Sequence, residues 1–253
     1  MKEKGERIDS FKCYICGKDI NGKYYIDQWG HNVCASHMDK QEVTMCTSCG
    51  AFTANSPLHD GRCLCNKCNS TVISTRSEIS ESLTYVKNLL VSVGFDFRTC
   101  NVDNIPIEIV SARRMAEIQN TSISTNNKGV TRTETQKRGT SKSDMKVVGH
   151  THKIYMLSDQ PRLEFLGTLA HVLLHVWQNE HDIKLSPMKC EGLCNMGSYL
   201  VYSTDKSPIA DFYIEDLKES RDAIYGDGFR YIFARYEDYG WRGIIQSVIN
   251  NMI

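Results

Sequence analysis

Paired cysteines and histidines crowd the first quarter of the chain, and they constrain its fold more than any other feature. Eight of the 11 Cys lie between Cys13 and Cys68. An odd number of Cys, arranged in Cys-x2-Cys pairs, is typical of metal binding in a reducing compartment rather than of a disulfide framework. We therefore expect an N-terminal metal-binding module that ends near residue 70.

The pairs form two consecutive ligand sets. In the first set 17 residues separate a Cys-x2-Cys pair from a Cys-x2-His pair, and in the second 15 residues separate two Cys-x2-Cys pairs. Four thiolate or imidazole ligands suit tetrahedral Zn²⁺, so each set predicts one structural zinc ion. The predicted ligands are Cys13, Cys16, Cys34 and His37 in the first set and Cys46, Cys49, Cys65 and Cys68 in the second.

Three neighbouring residues compete for these ligand positions. His31 and His59 are alternative imidazole ligands, and Cys63 lies two residues before Cys65. We prefer Cys65 because it alone forms a Cys-x2-Cys pair with Cys68. The Asp-Gly-x-x-x-Cys approach to Cys65 and the ligand spacing resemble those of LIM-type fingers, and such fingers usually bind proteins.

Charge and hydropathy exclude two classes of partner. The chain carries 30 Lys plus Arg and 30 Asp plus Glu, and residues 1–75 carry nine basic and eight acidic side chains, a net charge of +1. This balance lacks the basic footprint of nucleic-acid binding. The longest apolar stretch, 165–177, is shorter than the roughly 20 residues of a membrane helix. With no visible signal peptide, we expect a cytoplasmic protein without a membrane partner.

The rest of the sequence predicts a mainly helical α+β domain. Apolar periodicity, polar caps and prolines indicate the elements, and residues 120–145, with ten Ser/Thr, are expected to form a loop. Weak alternation of side-chain character at 130–136 allows an edge strand in that stretch. Residues 225–229 are predicted to form a turn. The predicted helices are 77–95, 111–119, 158–180, 187–203, 211–223 and 230–249, and the predicted strands are 105–110 and 150–157.

A second type of metal site is indicated by two histidines on the helix at 158–180. His171 and His175 are four residues apart, so their side chains lie about 40° apart on one helix face with about 6 Å of rise. Fifteen residues separate His175 from Glu191 in the next helix. A helical hairpin can bring that carboxylate to the same metal, which gives a His₂Glu set. Asn195, one turn after Glu191, is a candidate hydrogen-bond partner for a ligating His.

Several stretches together resemble the LIM-domain zinc metallopeptidases of plant growth control, a ubiquitin-linked family of the gluzincin type. The matching stretches are 34–37 with 46–49, 60–68, 169–177, 185–194 and 225–230, in the same order, within residues 13 to about 245. The family's ubiquitin-interacting segments and first LIM domain have no counterpart in this sequence. The resemblance implies a zincin-like fold over 76–253 and a catalytic zinc at His171, His175 and Glu191. It also implies a protein substrate or partner with a link to ubiquitin.

The sequence departs from the family at the residue that matters most for hydrolysis. Val172 stands where the HExxH motif has its catalytic Glu. Valine cannot exchange a proton with water, and loss of a general acid–base group typically costs about 10²–10⁴ in rate. The nearest carboxylates, Glu164 and Glu180, are not obvious substitutes. The change is either natural, which we favour slightly because deliberate inactivation more often uses Gln or Ala, or engineered.

Other side chains near the motif are weaker candidates. Tyr199, Tyr202 and Tyr225 are candidates to stabilise a tetrahedral oxyanion, and Tyr225 is preferred because it lies in the matching 225–230 stretch. Cys190 and Cys194, one helical turn apart beside Glu191, are expected to be buried thiols rather than ligands.

The sequence thus predicts two domains and two competing functions. Residues 1–75 form a LIM-like module of small β hairpins with two structural zinc ions, and residues 76–253 form a zincin-like peptidase domain with a third zinc. The favoured function is a zinc metallopeptidase scaffold that binds a protein substrate, with hydrolysis disabled by Val172. The alternative is a non-enzymatic LIM-type protein-interaction module.

Overall fold

The chain folds as two units, and each is described by itself. They are Met1–Thr71, here called the cysteine unit, and Val72–Ile253, here called the helical unit. The computed structural model describes residues 12–139, 144 and 146–252. The N-terminal residues on which the signal-peptide prediction was based therefore lie outside the described part. The chain is mixed α/β, with eight α-helices and three small sheets among the described residues. None of the described helices is long and apolar enough to span a membrane.

The cysteine unit consists of two short hairpins and two short helices. Strands β1 (Tyr24–Ile26) and β2 (Asn32–Cys34) pair antiparallel, as do β3 (Thr44–Met45) and β4 (Phe52–Thr53). Helices α1 (Ala35–Asp39) and α2 (Asn66–Asn69) each follow a cysteine of a predicted ligand pair. The apolar core is small and consists of Cys13, Val33, Val43 and Phe52 with a few partly buried neighbours.

Asp27 closes the first hairpin and ties it to the second. Its Oδ1 accepts hydrogen bonds from the backbone N–H groups of Trp29 and His31, and its Oδ2 accepts one from Phe52. Burial raises the pKa of the Asp27 carboxyl, but these hydrogen bonds outweigh it and the pKa is lowered overall. The carboxylate therefore holds together turns that have little apolar area of their own.

The helical unit has eight main elements before its last two helices. Helix α3 (Arg76–Ser92) begins with a capping box in which Thr75 and Glu78 satisfy each other's backbone N–H groups. The succeeding elements are a 3₁₀ turn (Val102–Asn104), β5 (Ile107–Val110), α4 (Ala112–Gln119), β6 (Gly129–Arg138), β7 (Lys146–Leu157), α5 (Arg162–Glu180) and α6 (Pro187–Thr204). Helices α7 (Pro208–Glu219) and α8 (Tyr225–Ile249) follow, and α8 is kinked at Gly240.

The sheet of the helical unit has the order β5-β7-β6, with β5 parallel and β6 antiparallel to β7. Strand β6 occupies residues 129–138 of the region predicted as a loop at 120–145, so that prediction was wrong for this part. The alternating Thr side chains at 131, 133 and 135 are the signal that favoured the edge strand instead. Residues 140–143 and 145 of the predicted loop lie outside the described part of the chain.

The predicted turn at 225–229 was also wrong, because these residues form the first turns of α8. The glycines there serve close packing: a Cβ at Gly228 would collide with the Met188 carbonyl, and one at Gly192 would collide with the Gly228 carbonyl. Backbones of α6 and α8 can approach this closely only without side chains. This contact sets α8 against the part of α6 that carries Glu191.

Candidate metal centres

The first ligand set converges in the cysteine unit. The Sγ atoms of Cys13, Cys16 and Cys34 and a ring nitrogen of His37 all lie within 4.8 Å of one another. His37 Nδ1 lies 2.6 Å from Glu42 Oε2, whereas His37 Nε2 is buried and has no hydrogen-bond partner among the described residues. A carboxylate on one ring nitrogen and a free lone pair on the other is the usual arrangement of a metal-bound histidine. The set can hold a metal ion.

All four cysteines of the second set are buried. The Sγ atoms of Cys46, Cys49, Cys65 and Cys68 lie within 4.8 Å of one another. Hydrogen bonds from the thiols of Cys49 and Cys68 hold the pKa of Cys46 far below its usual value, while the Cys46 thiolate raises the pKa of Cys49 to about 12. A divalent cation fits four converging thiols, which it binds as thiolates.

The three competing ligands lie outside these sets. His31 pairs through Nδ1 with Asp27 Oδ2 at 2.7 Å and stacks on Tyr14, with ring centroids 4.0 Å apart. His59 is exposed to solvent, and Cys63 is buried but belongs to none of the metal-binding groups found among the described residues.

The third predicted set lies where α5 meets α6. Glu191 Oε2 is 3.1 Å from His171 Nε2 and 3.4 Å from His175 Nε2. This oxygen is buried, yet it has no hydrogen-bond partner of good geometry among the described residues. Burial raises the pKa of Glu191, but the two imidazoles outweigh it and lower the pKa to about 2. An ionised, unsatisfied oxygen between two imidazole nitrogens fits a shared cation.

Residues of α6 hold the outer nitrogens of both imidazoles. His171 Nδ1 lies 3.0 Å from Asn195 Oδ1, and Asn195 Nδ2 donates to the Tyr225 carbonyl. His175 Nδ1 lies 3.8 Å from Cys190 Sγ. These contacts orient both rings so that Nε2 faces Glu191. The placement of Asn195 follows the sequence hypothesis, whereas the contact of Cys190 was not anticipated.

The thiols of Cys190 and Cys194 also lie within reach of the metal-binding atoms. Cys194 groups with His171 and His175, and Cys190 groups with His175 and Glu191, each within 4.8 Å. Both thiols were expected to be plain buried residues. Gln178 Nε2 donates to Cys194 Sγ at 3.0 Å, which gives that fully buried thiol a polar partner.

Val172 packs against strand β6. It is fully buried, its carbonyl accepts a hydrogen bond from Thr131 Oγ1 at 2.8 Å, and a Cβ at Gly129 would lie 3.1 Å from its Cγ1. The two nearest carboxylates are engaged elsewhere, because Glu164 pairs with Lys128 and Glu180 contacts His152. Neither replaces the missing base.

A cavity of about 360 Å³ opens beside His171. Tyr225, one of the three candidates to stabilise an oxyanion, lines this cavity. Tyr225 stacks near the His171 ring at 6.3 Å, and burial together with the Glu191 charge raises its pKa to about 12, so its hydroxyl is protonated at neutral pH. Tyr202 also lines the cavity but is buried against Gly167. Tyr199 packs among Phe229, Phe233 and Tyr236.

Comparison of the chain with protein-family models, with the curated proteins and with the solved structures finds no match. The chemistry of the chain is therefore argued from its own residues.

Proposed function

We propose that the chain is a zinc-metallopeptidase-like protein related to the LIM-domain peptidases, with a zincin-like helical unit and a LIM-like cysteine unit. The observation that carries this proposal is the buried, unpartnered Oε2 of Glu191 between the Nε2 atoms of His171 and His175. Two histidines from one helix and a carboxylate from the next form the ligand set of many catalytic zinc sites.

The residues around this site support binding of an extended peptide. Strand β6 is an edge of the sheet and carries Gly129 at the wall of the cavity beside His171. An edge strand offers unpaired backbone groups to which a substrate segment adds as a further strand. The Tyr225 hydroxyl is a proton donor at the same cavity, suited to hold a carbonyl oxygen.

Hydrolysis in this version of the site is expected to be weak or absent. Bound zinc polarises a carbonyl and lowers the pKa of its water to near 7. The remaining requirement is a side chain that accepts the water proton and passes it to the leaving amine, and Val172 has no such group. The protein as it stands would therefore bind a protein substrate or partner without efficient cleavage.

Restoring the base tests the proposal. We expect Val172→Glu to increase zinc-dependent cleavage of unfolded casein, or of the chain itself, by about 10²–10⁴ relative to the Val172 protein. Val172→Gln is the matched control, because it has the same shape but cannot act as a base. A chelator should abolish the gained activity, and so should His171→Ala in the Val172→Glu protein.

Zinc content distinguishes the possible failures. In the otherwise unchanged chain, His171→Ala with His175→Ala should remove one equivalent of zinc per chain. Unchanged zinc content in this double variant would refute the metal site itself. Loss of zinc, together with a folded but inactive Val172→Glu protein, would refute the peptidase scaffold and leave a metal site of other purpose.

A second function, a protein-interaction module without catalysis, is favoured by one observation. The exposed large apolar side chains of the cysteine unit cluster in sequence around its first hairpin and ligand pairs: they are Tyr14, Tyr24, Tyr25, Ile26 and Met45. Exposed aromatic residues are typical of protein-binding surfaces. Under this alternative, a protein partner binds the cysteine unit and the Val172→Glu exchange yields no cleavage.

A further inference from the structure

A fourth group of metal-binding side chains lies in the helical unit, outside every ligand set predicted from the sequence. It consists of Cys100, which precedes the 3₁₀ turn, His152 on β7 and Glu180 at the last position of α5. Their ligand atoms lie within 4.8 Å of one another, and His152 Nε2 is 2.8 Å from Glu180 Oε1. A thiol, an imidazole and a carboxylate from three separate segments of the chain thus meet at one point.

The surroundings hold the histidine in a ligand-like orientation. The side chain of His152 is 1% exposed and that of Glu180 is 10% exposed. Thr133, which pairs directly with His152 in the β6–β7 register, places its Oγ1 2.9 Å from His152 Nδ1. The hydrogen bond at Nδ1 fixes the imidazole ring so that Nε2 faces the ligand atoms of Cys100 and Glu180. Most metal-bound histidines are held in this way.

A nucleophilic role for Cys100 does not fit this geometry. An activated cysteine needs a ring nitrogen of the histidine for itself, with the carboxylate on the opposite nitrogen. Here Glu180 and Thr133 occupy the two nitrogens of His152. Burial and the nearby Glu180 charge also raise the pKa of Cys100 to about 11, so the thiol is not activated.

We propose that Cys100 Sγ, His152 Nε2 and Glu180 Oε1 hold a Zn²⁺ ion, separate from the sites at His171 and in the cysteine unit. Thiolate, imidazole and carboxylate are all zinc ligands, and the thiolate selects against Mg²⁺ and Ca²⁺. On binding, the Cys100 thiol proton passes to bulk water, and neutral His152 coordinates through Nε2 with its one ring proton on Nδ1, where Thr133 Oγ1 accepts it. This proposal does not depend on the peptidase hypothesis.

The fourth coordination position faces a cavity. A volume of about 470 Å³ lies beside the three residues and is also lined by Asn101, Asn104 and His150. Three protein ligands with an open position distinguish this site from the two closed sets in the cysteine unit. Water or a small anionic ligand would complete the coordination there.

Zinc stoichiometry of the full chain tests the proposal. Each protein is dialysed against ZnCl₂, freed of loose metal and measured by elemental analysis. We expect Cys100→Ser and Glu180→Gln each to lose one equivalent of zinc per chain. The matched control is Asp182→Asn, which removes an exposed carboxylate two residues from Glu180 and should lose none.

Alkylation of Cys100 supplies a readout that is specific to this site. Iodoacetamide modification of the Cys100 peptide, measured by mass spectrometry, should be slowed by ZnCl₂ in the unchanged chain and in Asp182→Asn. Glu180→Gln can keep the hydrogen bond to His152 and so the local fold, but it should lose the protection. Equal zinc content in all four proteins, or alkylation of Cys100 that is insensitive to zinc, would overturn the proposal.

Discussion

The cysteine unit and the helical unit use metal ligands in opposite ways. In the cysteine unit, the eight residues of the two ligand sets outnumber the four buried residues of the apolar core cluster, of which Cys13 is itself a ligand. In the helical unit, a continuous core from Ile73 to Val248 surrounds Trp177, and the metal ligands lie at its margin. The comparison teaches that candidate metal ligands take the place of a core in the first unit, whereas a folded scaffold presents them at its margin in the second.

The ligand types follow the same division. The cysteine unit supplies four ligands to each site, seven of the eight being thiols, and so leaves no open position. The site at His171, His175 and Glu191 and the site at Cys100, His152 and Glu180 each border a cavity. Closed sites serve structure and open sites serve chemistry or ligand binding. The experiments below test this contrast, beginning with the largest expected effect.

Loss of one thiol should unfold the cysteine unit and spare the helical unit. Binding of structural zinc to small modules contributes about 10–16 kcal/mol, which far exceeds what the four-residue core can supply. We expect Cys46→Ser to lose zinc and to become sensitive to proteolysis within 12–71 alone. Cys63→Ser is the control, because Cys63 is buried but outside both ligand sets. A Cys46→Ser protein with full zinc and intact protease resistance would break the comparison.

A cavity in the core should destabilise the helical unit without changing its metal content. Leu90 in α3 is fully buried, so Leu90→Ala is expected to lower the free energy of unfolding by about 2–5 kcal/mol. Denaturant titration with zinc present measures this change. The neighbouring Val91 is 51% exposed, and Val91→Ala should cost far less. Similar costs for both variants would show that apolar burial is not what holds this unit.

Removal of the helix cap should have the smallest effect. Thr75 Oγ1 accepts from the Glu78 backbone N–H, and Glu78 Oε2 accepts from the Thr75 backbone N–H at 2.9 Å. Thr75→Ala should lower the free energy of unfolding of the helical unit by about 1 kcal/mol. Thr84, exposed in the middle of the same helix, provides the control variant Thr84→Ala. A Thr75→Ala protein in which residues 12–71 become sensitive to proteolysis would contradict the separation of the two units.

Much of the helical unit was predictable because its signals are local. The i, i+4 spacing of His171 and His175, the Pro187 start of α6 and the periodicity of α3 each depend on neighbouring residues. For strand β6 a loop was preferred to an edge strand, because its polar, Ser/Thr-rich sequence resembles a loop. It is a strand because β7 provides a partner for hydrogen bonding along its whole length.

The start of α8 was misjudged for a related reason. Gly226 and Gly228 are ordinary turn signals in a sequence. Only the approach of α6 explains Gly228, where a Cβ would meet the Met188 carbonyl, whereas Gly226 packs against the Ser220 carbonyl. The same approach explains why Asn195 reaches the Tyr225 carbonyl. Such contacts depend on residues about thirty positions apart, which periodicity does not reveal.

By itself, the sequence determined the two ligand sets of the cysteine unit, because each pair of ligands is separated by only two residues and a single turn of backbone brings them together. The sequence offered Glu191 as a partner of His171 and His175, but the packing of α5 on α6 set the place of its Oε2 between the two imidazoles. The tertiary structure alone decided the meeting of Cys100, His152 and Glu180. These residues come from distant elements. Packing of helices and pairing of strands set those distances, and no local spacing encodes them.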